Sequence, residues 1–304
     1  MARYLELTTK IAARIADLEL APGAALPSVR ELAAAERTTA STVTRAYHAL
    51  ADAGTIVVEP RRSARVSAGG ALAARSLLRG GAPFRLAGSD DPVLSMLIAD
   101  APEGIVRVGA SGSYRGLSAL WSGGADGACL HLRHRDGAYN APFARGVLAE
   151  RGPVLVHLWR REQGLIVPAG NPRGVARVAD LAGLRVARRP IGTGTRTMLD
   201  RLLLDAGIDP EHVAGPTVEL HLDVALAVAT GEADAGLGLG SAAAPLGLEF
   251  VPLAWEPFQV ATTRAESGGL QPIIEALADA AIARWIADLG GYDLAGAGTV
   301  IDLR

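Results

Sequence analysis

The stretch 22–50, reading PGAALPSVRELAAAERTTASTVTRAYHAL, constrains this chain more tightly than any other. Two short runs with apolar residues at helical spacing flank a polar turn. Val29, Leu32 and Ala33 form the first stripe, and Val43, Ala46, Tyr47 and Leu50 the second. Pro27-Ser28 followed by Glu31 is a capping box and marks a helix start. Residues 36–40 turn the chain, and Thr39 or Ser41 can cap the next helix. The outward face of that helix is Ser41, Thr42, Thr44, Arg45 and His48. Short hydroxyls and a guanidinium can approach phosphates and base edges without steric conflict. The pattern predicts a helix-turn-helix and, with it, DNA binding.

The flanks extend this unit. Tyr4, Leu7, Ile11, Ile15 and Leu18 share one face of a helix over 4–18. After Ala53-Gly54, residues 55–59 read as a β-branched strand, Pro60-Arg61-Arg62 as a turn and 64–66 as a return strand. Three helices and a hairpin make a winged helix-turn-helix, with Arg61 and Arg62 where a wing would meet the phosphate backbone. The net charge of the chain, −2, hides an uneven split. Residues 1–70 carry nine basic and seven acidic side chains, which leaves the remainder at −4. A mildly basic reading head on an acidic body fits that split.

Beyond residue 84 the pattern changes to alternating strand and helix signals. FRLAG, IVRVG, ACLHL, VLVHL, GLIVP, LRVAR and AGLGL are short apolar runs, interleaved with helical segments and ended by a helix over 270–289. This alternation predicts an α/β domain with mostly parallel sheets. The expected division is a head at 1–67, a linker or short connecting helix at 68–82, and a body at 83–304. Cys129 is the single cysteine, so no intrachain disulfide forms. No run of about 18 apolar residues and no signal-peptide core occurs, so no membrane partner is expected and the cytoplasm is the expected location.

The head resembles the winged-helix domains of the GntR family of bacterial transcription regulators. The residues that carry this are Pro22, Gly23, Leu26, Pro27, Ser28, Arg30, Leu32, Ala33, Thr42, Val43, Ala46, Tyr47, Leu50 and Gly54. The wing tip, Pro60 to Ala64, departs from the family's glycine-rich turn. The expected DNA contacts are Ser28, Arg30, Ser41, Thr42, Thr44, Arg45, Tyr47, Arg61 and Arg62. The body resembles a domain related to type II, molybdate-type periplasmic solute-binding proteins, through the runs AGSDDP (87–92), VGASGS (108–113), His131-Leu132, Tyr139-Asn140, REQGL (161–165), GNP (170–172) and GTGTR (192–196). The resemblance implies a clamshell of two α/β lobes, the second running roughly over 164–250.

Glycines and hydroxyls where strands or loops enter helices are what oxyanion recognition requires, because helix N-termini expose free N–H groups. Ser89, Ser111, Ser113, Thr193 and Thr195 are so placed, and Arg196 could add a charge or brace its loop. Asp90, Asp223 and Asp234 read as cleft residues or as loop braces, and Tyr139 and Asn140 as cleft or core residues. The expected effector is therefore a small anion such as molybdate or tungstate, with an organic effector (an amino acid or sugar acid) as the alternative. His131, His134 and Asp136 lack a third ligand cluster, so no metal site is assigned. A pyridoxal-phosphate fusion needs a Schiff-base lysine in the body, yet Lys10 is the only lysine. No nucleophile–base pair supports an enzyme acting on a molybdenum-cofactor intermediate. The expectation is a non-enzymatic, cofactor-free regulator that binds double-stranded operator DNA as a homodimer.

Overall fold

The computed structural model describes residues 3–17, 19–58, 63–68, 70–100, 104–149 and 151–303. The chain divides into two compact units. The first runs through Phe84 and takes in two short later segments, near Ile105 and over Ala265–Gln271.

In this first unit, α1 (Arg3–Ala16), α2 (Val29–Ala35) and α3 (Ala40–Asp52) pack their apolar stripes together. Leu7, Ile11 and Ile15 meet Leu32, Val43, Ala46 and Leu50, with Ile56 and Val66 closing the core. Leu50 is fully buried, which alone contributes about 1.5–3 kcal/mol. Strands β1 (Ile56–Val57) and β2 (Arg65–Val66) pair antiparallel, with Ile56 opposite Val66. The expected linker contains a helix, α4 (Gly70–Leu78), whose Ala74 joins the head core. Arg75 of α4 donates to the Ala16 carbonyl at the end of α1. The head unit therefore continues past residue 67.

The second unit begins with β3 (Phe84–Gly88), α5 (Pro92–Asp100), β4 (Ile105–Ser111), α6 (Ser113–Trp121), β5 (Gly127–Leu130) and α7 (Ala141–Leu148). A long strand, β6 (Pro153–Val167), leads to β7 (Val186–Ala187), α8 (Gly194–Asp205), α9 (His221–Ala229), β8 (Ala235–Leu239) and α10 (Gly240–Ala243). A second long strand, β9 (Glu249–Thr263), returns, followed by α11 (Gln271–Ala278), α12 (Ala280–Asp288), β10 (Tyr292–Asp293) and β11 (Val300–Asp302). The sheet order is β4-β3-β5-β9-β6-β8-β7, with β10 and β11 also paired to β6.

The two 15-residue strands explain the lobes. β6 and β9 pair antiparallel along their whole length, so the sheet is mixed where the alternation predicts a mostly parallel one, because two long strands run between the lobes in opposite directions. At one end β9 pairs with β5, and at the other β6 pairs with β8. Each end carries its own core: Leu117, Leu130 and Leu148 in the first lobe, Leu165, Leu199 and Leu237 in the second. Register shifts fall between His157 and Trp159 and between Gln163 and Gly164, the pattern a bulge leaves in a long pair. No room exists there for a side chain at Gly164, since a Cβ would lie 2.4 Å from the Val251 carbonyl. No helix among the described residues is long and apolar enough to cross a membrane.

Candidate functional site

In the head, Ser28 caps α2 and completes the capping box: its Oγ accepts from Glu31 N at 3.3 Å, and Glu31 accepts from Ser28 N at 2.8 Å. Thr39, not Ser41, caps α3, accepting from Thr42 N at 3.2 Å. Val43, Ala46, Tyr47 and Leu50 turn inward, which leaves Ser41, Thr44, Arg45 and His48 exposed along one side of α3, beside the half-buried Thr42. Arg30 is exposed on α2. Arg45 lies over the Tyr4 ring, 4.1 Å from its centroid, so α1 steers that guanidinium. Tyr47 departs from the expected contact set. It is 4% exposed and its hydroxyl donates to the Pro27 carbonyl at 2.7 Å, fixing α3 against the start of α2. Arg61 and Arg62 lie outside the described residues.

In the second unit the polar groups converge where β6 and β9 cross between lobes. Arg161 and Glu256 are paired across the strands and fully or almost fully buried. Arg161 Nε lies 3.1 Å from Glu256 Oε1, and Arg161 Nη1 lies 2.8 Å from Asp91 Oδ2. Gln163 Nε2 donates to Glu256 at 2.8 Å and to Thr195 Oγ1 at 3.3 Å, reaching the first turn of α8. His131, just after β5, places Nδ1 2.8 Å from Glu256 Oε1, off the line of a hydrogen bond. Tyr292 and Ser241 share a 2.9 Å contact, and Tyr292 donates to Asp91 Oδ1 at 3.3 Å.

Asp90 joins the lobes. From the loop after β3, its carboxylate accepts from Arg189 Nη2 at 2.6 Å and from His221 N, at the start of α9, at 3.0 Å. Burial opposes its charge, yet His221, Arg189 and the backbone N–H hold its carboxyl far below the usual range. Burial likewise pushes the Asp91 carboxyl up, against the pull of Arg161. For Glu256, His131 and Arg161 outweigh burial and hold it low. Burial pushes both His131 and His221 down, which keeps them neutral at pH 7.

The expected ligand residues separate into two groups. Ser113 and Thr195 are buried at the N-termini of α6 and α8. The hydroxyls of Ser111 and Ser113 have no hydrogen-bond partner among the described residues. Gly112, with φ of 92°, lets the α6 start approach Gly192 and Thr193, where a Cβ would lie 2.9 Å from Thr193 Cγ2. Tyr139 is half-buried at the edge of the crossing. Other residues are committed locally. Thr193 caps α8 and donates to Pro190. Asn140 accepts from Leu132 N at 2.7 Å and donates to Gln259. Arg196 is held by Asp200 at 2.7 Å, and Asp223 accepts from Leu220 N at the start of α9. Ser89 is buried, its amide on the Cys129 carbonyl. Asp234 braces Arg185.

Arg161, Gln163, Arg189, His221, Glu256 and Tyr292 were not among the expected site residues. In sequence Arg161 stands between Arg160 and Glu162, so nothing local marks it as the buried charge. His134 meets Asp136 at 2.9 Å on the surface, and no group of three His, Cys, Asp or Glu side chains among the described residues could hold a metal. Burial pushes the Cys129 thiol up to about 11, which makes it a poor nucleophile.

Comparison with known proteins gives the family. Residues 95–278 match the PBP superfamily domain, and residues 3–66 match the bacterial regulatory proteins of the gntR family. The chain is 32% identical over 195 residues to the uncharacterized protein YvgK of Bacillus subtilis (strain 168), a match spanning 62% of this chain and 63% of that protein. Among solved structures, the ancestral amino acid-binding protein AncCDT-1 is 15% identical with a TM-score of 0.49, over 71% of this chain and 98% of that one. The effector-binding domain of QuiR in complex with shikimate is 13% identical with a TM-score of 0.46, over 64% and 96%. The chain belongs to the PBP superfamily domain family, carried behind a gntR-family helix-turn-helix head.

Proposed function

We propose that this chain is a ligand-responsive transcription regulator, whose head binds operator DNA and whose two-lobed body takes a small anionic effector at the strand crossing. The observation that supports it best is a set of buried donors without partners at that crossing. The donors Ser111 Oγ, Ser113 Oγ and Arg161 Nη2 lack hydrogen-bond partners among the described residues, as do the ring nitrogens of the neutral His131 and His221, each ring offering one donor and one acceptor. Buried polar atoms are normally satisfied, so a cluster of unsatisfied donors fits a ligand rich in acceptors. A tetrahedral oxyanion such as molybdate or tungstate presents only acceptors.

A second reading, an organic effector such as an amino acid or sugar acid, is favoured by the buried acceptors left without a donor. Gln163 Oε1 is buried and unpaired, and an acceptor calls for a donor on the ligand. Calorimetry of the full chain against molybdate, tungstate, sulfate and phosphate, beside an amino-acid and sugar-acid panel, separates the two. Heat from the organic panel alone refutes the oxyanion, and silence from both refutes an effector of either class. The regulator is expected to act in the cytoplasm as a homodimer on a palindromic operator, with no catalytic step.

A further inference from the structure

The inner cluster has no cation to spare for an arriving anion. Arg161 is shared by Asp91 and Glu256, at 2.8 and 3.1 Å, and Arg189 is held by Asp90 at 2.6 Å. Arg196 is turned onto Asp200 at 2.7 Å. An anion placed among these groups meets three carboxylates and two guanidiniums, so its charge has to be matched by groups beside the cluster.

Two arginines are positioned to do so. Arg133, two residues beyond His131 in the first lobe, and Arg201, on α8 of the second, line one recess together with His131, Tyr139, Thr197 and Glu256. Neither pairs with a carboxylate among the described residues. Arg133 is exposed and Arg201 half-buried, so both side chains keep freedom to swing. Tyr139 senses both charges: burial and then Glu256 push its hydroxyl up, while Arg133, Arg201 and Arg160 pull it down. At the floor His131 is 2% exposed, its Nδ1 2.8 Å from Glu256 Oε1 and its Nε2 without a hydrogen-bond partner among the described residues. Its ring packs directly on Gly194 at the start of α8, where a Cβ would come within 2.6 Å.

We propose that this recess seats the effector's oxyanion group, gripped by Arg133 from one lobe and Arg201 from the other, above His131. The inference rests on the anionic-effector reading and adds to it the cations that balance the charge and bridge the lobes. The planar guanidinium fork suits a carboxylate as well as a tetrahedral oxyanion. The recess measures about 20 Å³, space for about one water. The anion is therefore taken with the lobes apart and clamped as they close.

The test uses the full chain with Arg133→Gln and Arg201→Gln, titrated calorimetrically with molybdate, phosphate and glutamate at two salt concentrations. Neither arginine has an ion-pair partner to lose, so both variants are expected to melt at the wild-type temperature. Whichever anion binds the wild type is expected to bind each variant about tenfold more weakly or worse, the loss of one charge-assisted hydrogen bond, with a flatter salt dependence. Arg201→Lys recovers part of the affinity, and Arg284→Gln, an exposed arginine on α12, leaves it unchanged. Preference for molybdate identifies an inorganic oxyanion and preference for glutamate a carboxylate, and either, weakened by both glutamine variants, supports the clamp. Wild-type affinity in both glutamine variants overturns the clamp while leaving an anionic effector standing. A wild-type chain that binds none of the three overturns the effector reading together with the clamp.

Discussion

Replacing Arg161 with methionine is expected to destabilise the body more than any surface charge change. The guanidinium is fully buried, 2.8 Å from Asp91 and 3.1 Å from Glu256, and it also donates to the Asp90 carbonyl at 3.1 Å. Methionine keeps much of the volume and removes the charge, leaving two buried carboxylates without their cation. Breaking a buried pair from one side costs about 3–5 kcal/mol. Glu256 keeps Gln163 at 2.8 Å and Asp91 keeps the Val93 N–H at 2.9 Å. Those bonds place the cost at the lower end, about 3 kcal/mol. For a body of this size that lowers the Tm by roughly 6–12 °C, read by near-UV circular dichroism at pH 7.5. The sign of the pH dependence follows from Glu256, whose carboxyl is held below the usual 4.5 by His131 and Arg161 against burial. A depressed carboxyl contributes stability above its unfolded value and loses it as pH falls through the folded one. The gap between variant and wild type therefore narrows below about pH 4.5. Adding Glu256→Leu to Arg161→Met should recover part of the loss. A Tm drop of less than about 2 °C, equal at pH 7.5 and pH 4, would mean that Arg161 does not hold the two carboxylates in the core.

Burial pushes His131 and His221 below the usual 6.5, so the unfolded chain binds more protons there. The body is then expected to be more stable at pH 7.5 than at pH 5.5, with a flatter profile in His221→Asn; equal urea midpoints at the two pH values contradict this. Tyr47→Phe removes the 2.7 Å bond to Pro27 and should cost the head about 1 kcal/mol, without altering the salt slope of operator binding. A loss of operator affinity in a head that stays folded would make Tyr47 a DNA contact after all. Thr44→Ala with Arg45→Ala should weaken operator binding by about 2–4 kcal/mol and flatten its salt dependence; unchanged gel-shift affinity removes the α3 assignment.

The head was legible because its signals are local. Ser28 and Glu31 cap within one turn, and Val43, Ala46 and Leu50 share one helix face at fixed spacing. Tyr47 misled because its role depends on a partner 20 residues away, the Pro27 carbonyl. The alternation of the body was equally readable, since strands and helices differ in their apolar period. The crossing was not. Asp90 meets Arg189 and His221, and Arg161 meets Glu256, across separations of 99, 131 and 95 residues. Arg161 meets Glu256 because β9 returns alongside β6, and Asp90 meets Arg189 and His221 where the two lobes come together. Each of these residues sits in an ordinary local context, so spacing carries no trace of the pairing. Glycine–hydroxyl runs located the helix starts well, but at Thr193 the hydroxyl serves the helix itself.

The central claim is that the body's ligand sets the head's affinity for DNA. The direct measurement is the operator isotherm of the full chain, on a fragment the chain itself selects from a genomic library, with and without saturating effector at fixed salt. Coupling between body and head predicts a shift of about 5–150-fold, the range of ordinary allosteric coupling. An isotherm unmoved by a ligand that demonstrably saturates the body would contradict it.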